Sequence, residues 1–136
     1  QRLKGGPLFE IAGDAELWLD GGHNPAAGDA IASVLSEHGT RPTYLICGML
    51  NTKDIGGYLR PLAAQAKSLH AVSIPGESAT LAASQTAAAA RGEGMEAYEA
   101  ESVAEALRDI VAKDQNARVL ICGSLYLAGA ILRENH

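Results

Sequence analysis

Apolar residues along this chain gather in short runs, and between the runs they recur every three or four positions. The runs "TYLICG" at 43–48, "SLHAVSI" at 68–74 and "ARVLICG" at 117–123 have strand length and strand composition. "MEAYEA" predicts a further short strand near a sheet edge. Residues 7–20, "PLFEIAGDAELWLD", read as two short strands around Gly13-Asp14, a hairpin signal. The segments between carry the helical period. Residues 25–38 place Ala27, Ile31, Val34 and Leu35 on one face, with Asn24 as N-cap, Pro25 as first residue and Gly39 as stop. A second helix is expected from about Ile55 to Ala66, weakened by Gly56 and Gly57 and shifted or kinked by Pro61. A third, alanine-rich, runs from Thr80 to Arg91. "SVAE" at 102–105 is a capping box that opens a fourth over 103–113, with Val103, Ala106, Leu107, Ile110 and Val111 inward. "SLYLAGAILRE" gives the last helix.

Strands that alternate with helices of this length make a mostly parallel sheet covered on both faces. Right-handed crossovers then predict an α/β, Rossmann-like three-layer domain with an N-terminal antiparallel hairpin strand. The chain of 136 residues holds one such domain, and no shift in composition marks a second. The repeat of "LICG" at 45–48 and 120–123 fits two central strands of one sheet.

Composition narrows the partners. Aromatics are 4%, too few for a platform that stacks single-stranded bases, and the net charge is −5 with no dense Lys/Arg cluster. Nucleic acid and anionic membranes are therefore poor partners, and a small molecule or another domain is expected. No apolar stretch approaches membrane-spanning length, and no signal peptide opens the chain. Cys47 and Cys122 sit in the two "LICG" runs and read as buried strand thiols of a reducing cytoplasm. They and the scattered histidines give no zinc spacing. His38 and His70 read as structural, and Tyr126 as packing with a polar tip.

In a doubly wound sheet, ligands gather beyond the carboxyl ends of the strands. The polar residues of interest fall there. Asp20 ends an apolar run, where a carboxylate can accept two ribose hydroxyls or hold a cation. Gly21 and Gly22 allow close approach, and His23 follows at the mouth of a helix whose free N–H groups favour an anion. The plainer reading is that Asp20 and Asn24 tie the turn and cap the helix. Lys53 can reach an anion over the sheet edge, while Asp54 reads equally as an N-cap. Ser124 follows Gly123 at a strand-to-helix turn and, taken alone, is a cap. The run "CGSLYLAG" fails the G-x-S-x-G nucleophile elbow, and the chain has neither a P-loop nor a G-x-G-x-x-G.

Three motifs in order, "LDGGHNP" at 19–25, "GMLNTKD" at 48–54 and "LICGSLYLAG" at 120–129, with "GPL" before them, resemble the C-terminal domain of bifunctional folylpolyglutamate synthase/dihydrofolate synthase in the Mur ligase superfamily. The resemblance implies ATP-dependent amide ligation. A carboxylate of dihydropteroate or a folate is phosphorylated by ATP, and the amine of L-glutamate attacks the acyl phosphate. It implies ATP and Mg2+ as cofactors, both held mainly by an N-terminal P-loop domain that this chain lacks. On this resemblance Asp20, with Asn24, matches the nucleotide contacts. His23 and Ser124 match positions near the reacting phosphate and incoming glutamate, and Lys53 a basic residue that faces the site on domain closure. No metal ligand is expected here. The chain, which opens without Met, reads as an excised C-terminal (glutamate ligase) domain that folds alone and does not catalyse. A stand-alone Rossmann-like nucleotide- or amino-acid-binding module and a muramyl-type ligase domain are the alternatives. A phosphoacceptor receiver domain lacks its acidic pair and late lysine.

Overall fold

The structure is a computed structural model that describes residues 1–37, 41–51 and 54–135. Five strands form one sheet: β1 (Glu16–Leu19), β2 (Thr43–Cys47), β3 (Ser68–Ala71), β4 (Ala97–Glu99) and β5 (Arg118–Cys122). Their order is β1-β5-β2-β3-β4, and every neighbouring pair is parallel. The helices are α1 (Pro7–Ala12), α2 (Pro25–Glu37), α3 (Ile55–Ala63), α4 (Ala83–Gly92), α5 (Val103–Lys113) and α6 (Leu125–Glu134).

The handedness of the crossovers sorts these helices into two layers. The steps from β1 to β2, β3 and β4 all move in one direction and lay α2, α3 and α4 on one face. The step back from β4 to β5 puts α5 on the other, with α1 and α6. Side chains of β5 alternate accordingly. Leu120 and Cys122 join the core under Ile31, Leu59 and Ala87, whereas Val119 and Ile121 join the core under Leu8, Leu107 and Leu127. All five residues of β5 are buried, as a central parallel strand requires.

The expected N-terminal hairpin does not form. Residues 7–12 are helix α1, with Pro7 in the first turn, where its missing N–H breaks no bond. Leu8 and Ala12, four apart, are its buried residues, and the Gly13 N–H closes it on the Phe9 carbonyl at 3.3 Å. A six-residue apolar run bounded by Pro and Gly suits a strand or one helical turn and a half, and packing under α5 selects the helix. The antiparallel partner of β1 lies further upstream. Arg2 bridges Trp18, the Leu3 N–H donates to the Leu17 carbonyl at 2.8 Å, and the Leu19 N–H donates to the Gln1 carbonyl at 2.8 Å. Asn135 ties this region to the end of α6: its Oδ1 accepts from the Leu8 N–H and its Nδ2 donates to the Gly5 carbonyl, each at 2.8 Å.

The other elements follow the pattern with shifted ends. β3 leaves the ladder after Ala71, and α3 stops at Ala63. α4 starts at Ala83 and not at Thr80, because Thr80 is occupied elsewhere. It bridges Leu50, and its Oγ1 accepts from the Ile74 N–H at 2.8 Å and donates to the Leu81 carbonyl at 3.0 Å. Val34, expected inward, is 52% exposed. Its helix leans away from β1 and toward α3, where Gly28 meets the chain at Tyr58. A Cβ on Gly28 would run into the Tyr58 carbonyl oxygen and lie 3.1 Å from Pro61 Cγ. Gly39 and His38 lie outside the described residues, as does His136.

His70 is buried in β3 against the tilted ring of Tyr98, 5.3 Å between centroids. Burial lowers its pKa, and the nearby Lys113 adds to this against the opposing pull of Asp109.

Two outcomes follow from this packing. Gly28→Ala is expected to destabilise the domain by about 1–3 kcal/mol, read from urea unfolding, because the added methyl has no room between α2 and α3. His70 stays neutral in the folded chain at pH values where an unfolded histidine, near 6.5, takes a proton. The unfolded state then binds more protons, so stability falls as the pH drops below that value. Urea midpoints of His70→Gln at about pH 7.5 and about pH 5.5 are expected to differ less than those of the parent chain.

Candidate functional site

The loops after β1 and β2 turn to α2 and α3 on one face, whereas the loop after β5 turns to α6 on the other. A crevice therefore opens at the carboxyl ends of β1, β5 and β2, the switch point of the sheet.

Asp20 extends β1 by one bond, its N–H donating to the Ile121 carbonyl at 2.9 Å. Its Oδ1 accepts from the Gly22 N–H at 2.7 Å, which fixes the carboxylate at the rim. The second oxygen has no hydrogen bond among the described residues. A side chain on Gly22 would strike Ala27 Cβ at 2.6 Å, so this tight turn needs glycine. His23 is exposed at the mouth of α2. Asn24 caps that helix, its Oδ1 accepting from the Ala27 N–H at 2.9 Å. Across the crevice, Gly123 holds φ +105, and a Cβ there would lie 2.7 Å from Cys47 Sγ and 2.9 Å from the Gly48 carbonyl. That close approach brings the ends of β5 and β2 together. Ser124 then caps α6, its Oγ accepting from the N–H groups of Tyr126 at 3.0 Å and Leu127 at 3.4 Å. Its side chain is buried, and its proton remains to be donated.

Asp20, His23, Asn24 and Ser124 are thus gathered on neighbouring loops at one end of the sheet. Lys53 lies outside the described residues. The adjacent Asp54 caps α3, accepting from the Gly57 N–H at 3.0 Å. Tyr126 does not pack inward. It stands exposed at the first turn of α6 with Leu125, which lies against Gly21.

The floor of the crevice is uncharged. Cys47 and Cys122 are register partners on β2 and β5, both buried as free thiols. The Cys122 thiol beside it, and then burial, push the Cys47 thiol well up. Beneath them lies Tyr58, whose fully buried hydroxyl has no hydrogen-bond partner among the described residues. Burial pushes that hydroxyl up too, reinforced by the two thiols and by Asp20. Sequence reasoning had no reason to single out Tyr58. Its spacing with Leu59 and Leu62 marks an inward position, but the company its hydroxyl keeps is set by β2 and β5. Among the described residues, no group of three or more His, Cys, Asp or Glu is placed to hold a metal ion, and no helix is long and apolar enough to cross a membrane.

A parallel sheet of this order, with polar loops at its switch point, defines a Rossmann-like α/β domain. Residues 9–125 match the family model of the Mur ligase, glutamate ligase domain, and the chain belongs to that family. Among its relatives, folylpolyglutamate synthase of Lacticaseibacillus casei is 30% identical over 124 residues, 91% of this chain and 28% of that protein. The solved structure of Mycobacterium tuberculosis folylpolyglutamate synthase complexed with ADP superposes with a TM-score of 0.75 at 26% identity, over 87% of this chain and 29% of that one. E. coli FolC in complex with DHPP and ADP shares the fold, with a TM-score of 0.72 at 22% identity, over 87% of this chain and 28% of that one. The chain spans less than a third of the length of these relatives.

The sealed floor sets an expectation for thiol chemistry. A disulfide reagent such as DTNB is expected to titrate neither cysteine in the native chain and both of the two after denaturation in urea.

Proposed function

We propose that this chain is the glutamate-ligase domain of an ATP-dependent carbon–nitrogen ligase of the folylpolyglutamate synthase/dihydrofolate synthase type. It works with an N-terminal P-loop domain of the same protein, in the cytoplasm. The observation that carries the reading is the Asp20-Gly-Gly-His23-Asn24-Pro25 turn facing Ser124 at the switch point, on a domain 30% identical to a folylpolyglutamate synthase.

The residues present fit one end of a nucleotide. Asp20 has an oxygen to spare at the rim, suited to ribose hydroxyls, and the Gly22 N–H holds the carboxylate in place for them. They do not by themselves fit a triphosphate with its metal. Mg2+, when bound by the whole enzyme, neutralises charge on the phosphate oxygens, and its ligands belong to the P-loop domain.

In this reading the carboxylate of dihydropteroate or of a folyl-polyglutamate attacks the γ-phosphorus of ATP, giving an acyl phosphate and ADP. The amine of L-glutamate then attacks the acyl carbon and loses a proton, and inorganic phosphate leaves as the amide forms. His23, exposed at the start of α2, meets the phosphate or the glutamate carboxylate where the N-terminal end of the helix also favours negative charge. Ser124 supplies a hydroxyl donor from the opposite wall, and Asn24 keeps the helix start in register. Lys53 brings a positive charge when the domains close. Closure also excludes water from the labile acyl phosphate, which half a site cannot do.

Two variants of the full-length enzyme test this. Asp20→Ala is expected to raise the KM for ATP about tenfold or more, and His23→Ala to lower kcat by about a hundredfold, measured as folate- and ATP-dependent incorporation of glutamate. The 136-residue chain alone is expected to form no amide. Full-length variants that ligate like the parent would overturn the assigned roles.

A further inference from the structure

A cavity of about 290 Å3 lies between the edge strand β1 and helix α2, below Asp20. It exists because α2 leans on α3 at Gly28 and leaves this face of β1 and β5 partly uncovered. Trp18, Ile31, Val34 and Leu120 give it apolar walls, with Asp20 at the upper end and Arg118 in the lining. The guanidinium is the unexpected part. Arg118 is 5% exposed; its backbone N–H donates to the Pro42 carbonyl at 2.7 Å, while its guanidinium makes no hydrogen bond to the described residues. Its one ion pair among the described residues, Nε to Glu16 Oε1, is long at 3.9 Å. That carboxylate is already engaged at shorter range, by Trp18 Nε1 on Oε1 at 3.1 Å and by Arg41 Nε on Oε2 at 3.2 Å. Arg2 adds a further guanidinium 5.9 Å from the centre of the Trp18 ring.

Three arginines thus share one carboxylate, and the most buried of them lines an apolar cavity with a guanidinium that Glu16 does not engage at hydrogen-bond distance. A guanidinium at the wall of an apolar cavity favours an oxyanion there over a neutral group. We infer that this cavity is a binding site for a small apolar monocarboxylate, whose carboxylate pairs with Arg118 and whose aromatic or branched body lies against Trp18 and Ile31. An oxyanion on Arg118 completes the hydrogen bonding that Glu16 leaves unmet. The volume is at the small end of ligand pockets and admits a single ring with a short substituent.

This is not the reacting carboxylate of the ligation. Arg118 opens β5 and Ser124 follows its far end, so a carboxylate on Arg118 sits the length of a strand from the crevice. The site nevertheless shares Asp20 with the crevice, which makes it a place from which an effector can act on nucleotide binding. The inference stands on the cavity and does not require the ligase reading.

Trp18 is the only tryptophan of the chain, so its fluorescence reports directly on the cavity. Titration of the 136-residue chain with benzoate is expected to give a saturable change in that signal. Benzamide, with the same ring and no charge, is expected to bind about ten- to a hundredfold more weakly. Arg118→Met, which leaves Glu16 with Arg41 and Trp18, is expected to abolish the benzoate response. Val34→Phe, which fills the cavity from the helix side with Arg118 intact, is expected to weaken it. The inference is overturned by a benzoate signal that does not saturate, by equal binding of benzamide, or by a folded Arg118→Met chain that still responds. Should Arg118→Met fail to fold, an unchanged response in Val34→Phe overturns it as well.

Discussion

Strand β5 enters last in sequence and lies between β1 and β2, and the site depends on that insertion. Before it is in place, β1 has no parallel neighbour and Asp20 has no Ile121 carbonyl to anchor its backbone. Insertion also sends successive loops to opposite faces, which opens the crevice. The fit is close at the carboxyl end, where Gly123 admits the Cys47 sulfur and Ser124 starts α6. The chemistry-bearing loops of β1, β2 and β5 are therefore positioned by one strand, itself held by a core on each face.

Much of this was legible in the chain. The apolar runs marked the strands because central parallel strands are apolar on both faces, and Asn24, Ser102 and Ser124 marked helix starts because each caps one. Asp20 stood out because an apolar run stops on it. The N-terminal hairpin was misread because Pro7 and Gly13 bound a short helix as readily as a strand. What separates the two is the packing of Leu8 and Ala12 under α5, which local pattern does not encode. The inward position given to Val34 failed for a related reason. The period fixes which residues share a helix face, while the lean of the helix, set here by Gly28 against Tyr58, fixes how far that face is covered.

The same lean separates the two polar features of this face. Tyr58 is pressed beneath the thiols, where its hydroxyl finds no hydrogen-bond partner among the described residues, and Arg118 is left lining a cavity with a long ion pair to Glu16. Neither was visible in the sequence, since each arises from where a helix sits and not from what the helix contains. Together they give the face beside the crevice a neutral floor under the candidate nucleotide contacts and a positive end below them. Glu16 shows the balance. Burial alone would raise its pKa, but the Trp18 hydrogen bond and the surrounding Arg2, Arg41 and Arg118 bring it below the ordinary value.

The pairing of residues 1–3 along β1 has a consequence for the domain as a particle in solution. β1 is a border strand, and an uncovered border offers a row of free N–H and C=O groups on which another molecule can extend the sheet. The bridge at Arg2 and the bonds of Gln1 and Leu3 occupy that row, and at the opposite border β4 is only three residues long and followed by the charged Glu101. Removing three residues from the front would take Leu3 from the core and leave the crevice loops of β1, β2 and β5 in the chain. It would also bare a sticky seam along which copies could stitch together, turning a discrete domain into the start of a fibre.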